Sequence, residues 1–328
     1  MNRKTHIVFL LIFLLFSCTD METIVDLEVP PHDPVLVLNG LLDTDLSSQV
    51  TISHSVGAFS GGRPSFLQNA SVLLFKNNSG VFDFIDSLTI DWTDLVYVYY
   101  YNDNIGSDSL PMYYYKSSYI PEPGSTYRID VTHQDYIPVS STTYIPNDIE
   151  INIVEIDTTS NEDKIGLTFS FNDNINQQNY YRLKIYSSCI KEYENEYGEI
   201  EEWGYRGDAY FMSNDPSFPG DIPFEGYTFQ GNDVTFTDAL FNGQEKTISL
   251  DIENDSKPGE SAIGCDTLYI RFSTFSDDTY SYYNSLGDHR EKGELGLFGG
   301  EVIPVYSNVQ NGLGVLISTN AQKIYLKP

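Results

Sequence analysis

The feature that most constrains the fold is a two-residue repeat of apolar side chains that recurs along most of the chain. Successive side chains of a strand point to opposite faces, so apolar residues at every second position indicate a strand with one buried face. Clusters of Gly, Asn, Asp and Pro separate the repeats, as expected for turns between short strands. The clearest repeats are Val50 and Ile52; Ala70, Val72 and Leu74; Tyr127, Ile129 and Val131; Ile165, Leu167, Phe169 and Phe171; Ile248, Leu250 and Ile252; and Leu268, Ile270 and Phe272.

These repeats predict a mainly β protein made of two consecutive β-sandwich domains, the second larger, with loop insertions and one short helix. A boundary is expected between residues 145 and 150, where an Ile-Pro-Asn-Asp segment closes one series of strands. The first domain then covers residues 34–145, a length suited to a seven-stranded sandwich. The second covers residues 146–328.

The second domain has two further features. The helix is predicted over Asp277 to His289, where Tyr280, Tyr283 and Leu286 recur at three-residue spacing. An acidic insert at residues 192–229 contains too many aromatic residues for a solvated loop. It either covers the second sandwich or forms a concave contact surface for a ligand or receptor.

The amino terminus reads as a leader that ends at a lipid attachment site. Basic residues precede an unbroken apolar run, Ile7–Phe16, which is too short for a spanning helix of about 20 residues. Leu15–Cys18 has the shape of a bacterial lipobox. We expect residues 1–17 to be a lipoprotein signal peptide and residues 18–33 a tether that is lipidated on Cys18, with palmitate among its acyl chains. An ordinary signal peptide, cut elsewhere to release a soluble secreted protein, is the alternative.

Charge excludes one class of partner. The chain carries 47 acidic and 18 basic side chains, a formal net charge of −29. Such a surface repels nucleic-acid phosphates and anionic headgroups. We therefore expect no nucleic acid partner, and contact with the lipid bilayer only through the acyl anchor.

Two cysteines follow Cys18 in a chain that we expect to be exported to an oxidising compartment. Cys189 and Cys265 either form a disulfide or remain as two buried thiols. Without a matching pair of histidines they do not predict a structural zinc site.

Tyrosine is the unusual residue, since the chain contains 25, with dense clusters at Tyr97–Tyr101 and Tyr113–Tyr119 around a polar loop, Asn102–Leu110. Read as a hairpin, the first cluster places alternate rings on one face. Such rings suit sugar stacking or a protein interface, although tyrosine is also a common strand residue on half-exposed sheets. The expected ligand or partner surface consists of Tyr97, Tyr99, Tyr101, Tyr113 and Tyr115, together with Trp203 and Tyr205 of the insert.

Neither a cofactor nor a catalytic role is expected. Asp173 between Asn172 and Asn174, or Asp277 with Asp278, could bind calcium, but the same residue types dominate turns for backbone reasons. The histidines fall in no recognisable metal or triad motif, and no nucleophile-elbow, zinc-protease or phosphate-loop sequence is present. Paired carboxylates of a glycosidase stay open, because 47 acids place some pair close together by chance.

Several segments, in their order and spacing, resemble a Bacteroidota lipoprotein family known only as domain of unknown function four-two-four-nine. The matching segments are Val35–Gly40, Gln49–Ser53, Leu67–Val72, Phe171–Asp173, Asn179–Tyr181, Phe236–Gln244, Pro304–Val309 and Gly312–Gly314. Asn311 stands where many relatives have a second glycine, and asparagine also tolerates positive φ.

The resemblance implies an immunoglobulin-like or carboxypeptidase-regulatory-like first domain and a TonB-dependent outer-membrane receptor as partner. It assigns no catalytic residues. Asp20 and Glu22, within four residues after Cys18, resemble export signals of Bacteroidota lipoproteins, so we expect an outer-membrane lipoprotein on the cell-surface or periplasmic face. The leading hypothesis is a non-catalytic accessory binding subunit of a TonB-dependent nutrient uptake system, its nutrient ligand unidentified. The alternatives are a structural or adhesive surface protein and, third, a glycan-acting enzyme.

Overall fold

Strands dominate the chain in the computed structural model, which describes residues 32–57, 65–102, 106–160, 163–175, 177–219, 229–253, 264–293 and 303–327. The leader and Cys18 lie outside these residues. One compact unit consists of Pro34–Ser55 with Arg63–Pro328; the other is Met1–Asp33 with Val56–Gly62, of which only four residues are described. The body below is the first of these units.

The described residues form twenty strands and one helix, α1 (Asp277–Gly293). The strands are β1 (Leu36–Asp43), β2 (Gln49–His54), β3 (Ser71–Asn78), β4 (Val81–Ile90), β5 (Val96–Asn102), β6 (Gly106–Met112), β7 (Tyr114–Lys116), β8 (Thr126–His133), β9 (Tyr136–Tyr144), β10 (Ile151–Asp157), β11 (Lys164–Asn172), β12 (Tyr180–Glu194), β13 (Ile200–Asp208), β14 (Phe211–Ser213), β15 (Phe229–Gly231), β16 (Asp233–Thr237), β17 (Glu245–Glu253), β18 (Gly264–Phe275), β19 (Val309–Gln310) and β20 (Leu313–Leu326).

The mainly β fold class is confirmed, and the two-residue repeats are the reason. In β11, for example, Ile165, Leu167 and Phe169 are buried, while the residues between them are only partly so. The repeats predicted in β2, β3, β8, β17 and β18 likewise supply core residues. Burial of one face of each strand therefore determines the sandwich layers.

The first half of the chain, together with the short strand β19 near the C terminus, builds one sandwich. Strands β1, β2 and β7 contribute to one layer, and β4, β3, β8, β9 and β19 follow in order in the other. Strand β4 belongs to both layers, because its residues up to Leu88 pair with β3 while Thr89 and Ile90 pair with β7. Side chains of both layers, among them Leu38 and Ile129, share one hydrophobic core.

The second half builds another sandwich around a separate core. One layer has the order β13-β12-β18-β20, with β16 also paired to β12, and the other has the order β10-β11-β17-β14-β15. Its core is rich in phenylalanine, and Phe171, Tyr181 and Phe272 pack with ring centroids 4.9 to 5.5 Å apart.

The last strand joins the two halves. Strand β20 pairs antiparallel with β18 and parallel with β1, so one hydrogen-bonded sheet continues from the second half into the first. The two cores divide between Ile145 and Ile165, close to the predicted boundary, except that Leu316 of β20 belongs to the first core. Because the sheet is continuous across that boundary, the division into two domains stays a prediction.

Gly314 allows this close approach of β20 to β1. It has a φ of +101°, and a Cβ at this position would lie 2.1 Å from the carbonyl oxygen of Leu38. Only glycine fits both constraints. Asn311, in the turn before β20, has a φ of 60°, as its tolerance of positive φ allows.

Helix α1 confirms the predicted helix and extends it by four residues beyond His289. Ser276 caps it, because its hydroxyl accepts a hydrogen bond from the Thr279 amide at 3.2 Å. Asp277 and Asp278 lie in the first turn, where negative charge is favourable. The helix packs on β20 through Thr279, whose hydroxyl donates to the carbonyl oxygen of Ser318. Within the described residues, no helix combines the length and apolarity needed to cross a membrane.

We expect Leu316→Ala to lower the free energy of unfolding by about 3 kcal/mol, because it leaves a cavity at a fully buried position. Urea denaturation of the purified protein measures the change. Leu313→Ala, in the same strand but 47% exposed, is the matched control and should stay within about 0.5 kcal/mol of the parent. Equal losses in the two variants would contradict the assignment of Leu316 to the first core.

Candidate functional site

Two rows of side chains cross the outer face of the second sandwich. Tyr186, Tyr269 and Tyr325 are register partners across β12, β18 and β20, and we call them the tyrosine row. Two residues further along, Lys184, Arg271 and Lys323 are also register partners, and we call them the cationic row. Like charges directly opposite each other destabilise a sheet, so the cationic row requires compensation.

Each member of the cationic row has a carboxylate partner from a neighbouring element. The ion pairs are Lys184–Asp208 (3.5 Å), Arg271–Asp43 (2.6 Å) and Lys323–Asp45 (2.7 Å). The Asp45 carboxylate raises the pKa of Lys323 and keeps it charged. The Asp43 side chain is only 2% exposed, whereas that of Arg271 is 31% exposed. In this ion pair a buried carboxylate therefore holds a partly exposed guanidinium group.

Arg182 lies on β12 two residues before Lys184 and adds a fourth cation beside the cationic row. Its guanidinium forms a two-pronged ion pair with Asp233 of β16, in which Nε lies 2.7 Å from Oδ1. The hydrogen bonds to Asp233 raise the pKa of Arg182. Planar bidentate geometry fixes the orientation of both side chains, which point-charge contacts do not.

A groove runs beside these residues, and we call it the outer-face groove. It comprises two adjoining cavities of about 230 and 400 Å³ that share Arg182, Phe275 and Tyr283. The smaller cavity is also lined by Asp43, Lys184 and Arg271, and the larger one by Asp233 and Tyr280.

Helix α1 supplies the aromatic wall of this groove. Tyr280 stacks on Tyr180 with ring centroids 4.1 Å apart and planes 17° from parallel, which holds the helix against β12. Tyr283 lies near Phe275, with centroids 6.1 Å apart, and is 45% exposed. The groove therefore offers a half-exposed aromatic ring next to fixed charged groups.

The groove can form hydrogen bonds of both kinds. Carboxylates of Asp43 and Asp233 accept, and the guanidinium groups of Arg182 and Arg271 donate. This combination suits binding of a polar ligand.

A profile of the family described as "Domain of unknown function (DUF4249)" matches residues 22–324, nearly the whole chain. The chain belongs to this family. No curated protein matches it. Among solved structures, the zebrafish (Danio rerio) Fcho1 mu homology domain with bound Eps15 peptide aligns over 89% of this chain and 94% of that one, at 7% identity and a TM-score of 0.17. That similarity is too low to inform the fold or the function.

In this DUF4249 protein the first tyrosine cluster forms one strand of a hairpin, as predicted, but the second cluster does not form the other strand. Strands β5 and β6 form their own two-stranded sheet, and Tyr97 and Tyr99 are 50% and 68% exposed. Trp92, just before the hairpin, is also exposed. We call Trp92, Tyr97 and Tyr99 the hairpin aromatic surface. Tyr101 lies in β5, but the structure does not describe its side chain.

The expectation for the second tyrosine cluster is wrong. Tyr115 is 2% exposed in the first core, where its hydroxyl donates to the Leu67 carbonyl oxygen and accepts from the Ala70 amide. Tyr113 is 9% exposed and packs edge-on against Trp92. The second strand of the hairpin is β6, formed largely by the expected polar loop, so this cluster is free to enter the first sandwich instead.

The aromatic insert is largely part of the second sandwich. Phe211 and Phe218 are buried in its core, which favours the covering role over the contact surface. Trp203 and Tyr205 lie in β13, opposite Lys191 and Cys189 of β12, and their side chains are outside the description.

The cysteines lie opposite each other. Cys189 is buried and disulfide-bonded, and its register partner on β18 is Cys265, whose side chain is outside the description. Adjacent strands bring paired residues within the Cα separation that a disulfide needs. We infer that Cys265 is the partner of Cys189.

Asp173 serves the fold. Its carboxylate accepts hydrogen bonds from the Tyr181 hydroxyl, the Asn179 side chain and the Gly243 amide, which together fix the turn after β11. Asp278 accepts from the Tyr306 hydroxyl at 2.6 Å. Among the described residues, no group of three or more His, Cys, Asp and Glu side chains is placed to hold a metal ion.

Sequence reasoning missed the outer-face groove. One signal was available, because Arg182, Lys184 and Tyr186 alternate with the buried Leu183 and Ile185 along one strand, and basic residues are scarce in this chain. Most of the other residues that line the groove come from β1, β16, β18 and α1, and no local pattern indicates that convergence.

We expect Arg271→Gln to lower the free energy of unfolding by about 2 kcal/mol, because it leaves the buried Asp43 carboxylate without its cation. Adding Asp43→Asn should restore most of the loss, since the double variant buries no unpaired charge. Denaturation of both single variants, the double variant and the parent closes a double-mutant cycle. A double variant as unstable as the sum of the single variants would show that the two groups are not coupled.

Proposed function

We propose that this DUF4249 protein is a non-catalytic outer-membrane lipoprotein, anchored through Cys18, that serves as an accessory binding subunit of a TonB-dependent nutrient uptake system. The observation that carries the proposal is the pairing of a lipobox-like leader with a sandwich scaffold that presents a polar, aromatic groove. A first domain of immunoglobulin-like or carboxypeptidase-regulatory-like type is part of the same proposal.

Tethered proximity is the mechanism that we propose. An acyl anchor confines the protein to the membrane of its receptor and raises the effective concentration of each for the other. Weak contacts then suffice for capture and transfer. Such a subunit needs one surface for the receptor and another for the nutrient.

The hairpin aromatic surface fits the receptor role. Exposed tyrosine and tryptophan side chains are enriched at protein interfaces, because they provide large rigid contact areas with a polar end. The loop before the hairpin is held by Lys116, whose ammonium group contacts Asp94 at 2.5 Å and Asp91 at 3.4 Å. The aromatic groups are therefore displayed from a fixed base.

Replacement of Cys18 by serine tests the anchor. We expect Cys18→Ser to move the protein from the outer-membrane fraction to a soluble fraction with an unchanged unfolding curve, because no acyl chain can attach. Ser17→Gly, which keeps a small residue before the cysteine, is the control and should stay membrane-bound. Persistence of Cys18→Ser in the outer membrane with uptake intact would refute the tethered-subunit proposal.

Alanine at all three positions of the hairpin aromatic surface tests the receptor contact. We expect the triple variant to recover at least about tenfold less TonB-dependent receptor in a mild-detergent pull-down, because truncation of an interface hot-spot residue costs about 1 kcal/mol or more. The control is Tyr197→Ala with Tyr210→Ala, which removes two exposed tyrosines elsewhere. Equal recovery by the folded triple variant and the parent would sink this surface assignment.

A structural or adhesive role is the second candidate. The sheet that continues through β20 makes the two sandwiches suitable as a stiff spacer. Purification from the native membrane without any associated receptor would favour this candidate over the first.

A further inference from the structure

We propose that the outer-face groove binds a neutral, polyhydroxylated ligand of the carbohydrate class, with consecutive units on the two sides of Arg182. The inference rests on the binding role proposed above and names the ligand class for it. Charge pairing, hydrogen-bonding capacity and the placement of aromatic rings each support it.

Charge pairing indicates a neutral ligand. Arg182, Lys184 and Arg271 each have a carboxylate partner within 3.5 Å, so the groove carries little net charge. An anionic ligand would have to displace those carboxylates while approaching a chain of net charge −29. A cationic ligand would be repelled by guanidinium groups that are already fixed in place.

Hydrogen-bonding capacity indicates hydroxyl groups. A hydroxyl donates one hydrogen bond and accepts others, so it can bridge an arginine and its carboxylate partner without breaking the ion pair. The groove has two such pairs, Arg182–Asp233 and Arg271–Asp43.

The aromatic side chains indicate a ring with an apolar face. Phe275 and Tyr283 line both cavities, and Tyr283 is exposed enough to be contacted from solvent. Saturated sugar rings combine a C–H face with a rim of hydroxyls, so the face can rest on an aromatic ring while the rim reaches the charged pairs. Two adjoining cavities suit consecutive units of a chain better than one compact ligand.

The groove is largely preformed, which favours specific binding. Asp43 is buried, and the Arg182 guanidinium is oriented by two contacts to Asp233. Side chains that are already ordered lose little further entropy when a ligand binds.

The test is calorimetric titration of the detergent-solubilised full-length protein. The probes are short neutral oligosaccharides of glucose, xylose, mannose and N-acetylglucosamine, an oligogalacturonate of similar length, and a short neutral peptide. We expect at least one neutral oligosaccharide to bind, and the oligogalacturonate and the peptide to bind more weakly or not at all. No binding of any neutral oligosaccharide, or tighter binding of the oligogalacturonate or the peptide, would overturn the proposal.

Variants then locate the binding. We expect Tyr283→Ala to weaken the association constant about tenfold, equivalent to about 1.4 kcal/mol, through loss of the stacking face. Tyr283→Phe keeps that face and should bind more tightly than Tyr283→Ala. Tyr210→Ala removes an exposed tyrosine outside the groove and should bind like the parent. Equal binding by folded Tyr283→Ala and the parent would overturn the assignment to the groove.

The ion pair gives an independent check. Arg182→Gln with Asp233→Asn keeps both side chains polar while removing the charged donor and acceptor, and we expect about tenfold weaker binding. Binding unchanged in this double variant would count against the hydroxyl-bridging geometry. The groove variants also separate the two proposals, because the proposed receptor contact uses the hairpin aromatic surface and not the groove. If the protein binds no oligosaccharide but still recovers the receptor, this inference fails and the proposed function stands.

Discussion

The structure depends most on the position of the C-terminal strand between the first strand and β18. Strand β20 is the one described element that pairs with strands of both halves, and Gly314 lets its backbone approach β1. Buried polar groups lock it in place. The Asn320 amide donates to the Pro146 carbonyl oxygen and the Asp148 carboxylate, and the Ser318 hydroxyl donates to the Tyr144 carbonyl oxygen. Separating the halves would break these buried hydrogen bonds together with the pairing of β20.

The cationic row follows from the same pairings and breaks a local rule. Three cations opposite one another across adjacent strands are unfavourable, and an apolar or alternating row would stabilise the sheet more simply. Proteins that break such rules usually do so at functional sites. The three carboxylates that compensate the row come from β13, from the end of β1 and from the residues just after β1, and one of them, Asp43, also lines the groove beside the row. The cost in sheet stability and the capacity for binding therefore have one cause.

The sequence predicts the strands well and their partners poorly. Period-two alternation located β2, β3, β8, β11, β17 and β18, because burial of one face acts on each strand separately. It failed at Tyr115. Alternation shows which residues share a face of the strand, but it does not show whether that face is covered by another sheet or exposed to solvent. Tyr97 and Tyr115 both lie in tyrosine-rich segments with similar local patterns. Tyr97 is nevertheless half exposed on the hairpin, whereas Tyr115 is a core residue. The pairing of β20 with β1 joins residues more than 270 positions apart, and no local signal encodes it.

The outer-face groove could not be predicted from the sequence either, because its residues come from strands that are distant along the chain. Its geometry also shows that the groove requires both halves of the protein. Asp43 lies at the end of β1, and Arg271 lies on β18, with β20 between them in the sheet. Their ion pair therefore passes over the C-terminal strand from the first half of the chain to the second. Neither half alone contains both partners, so this part of the groove forms only when β20 is docked between them. Any ligand held by this pair would also stabilise the contact between the halves, because a ligand that binds only the folded state adds to its stability, and the gain grows with the logarithm of ligand concentration above the dissociation constant.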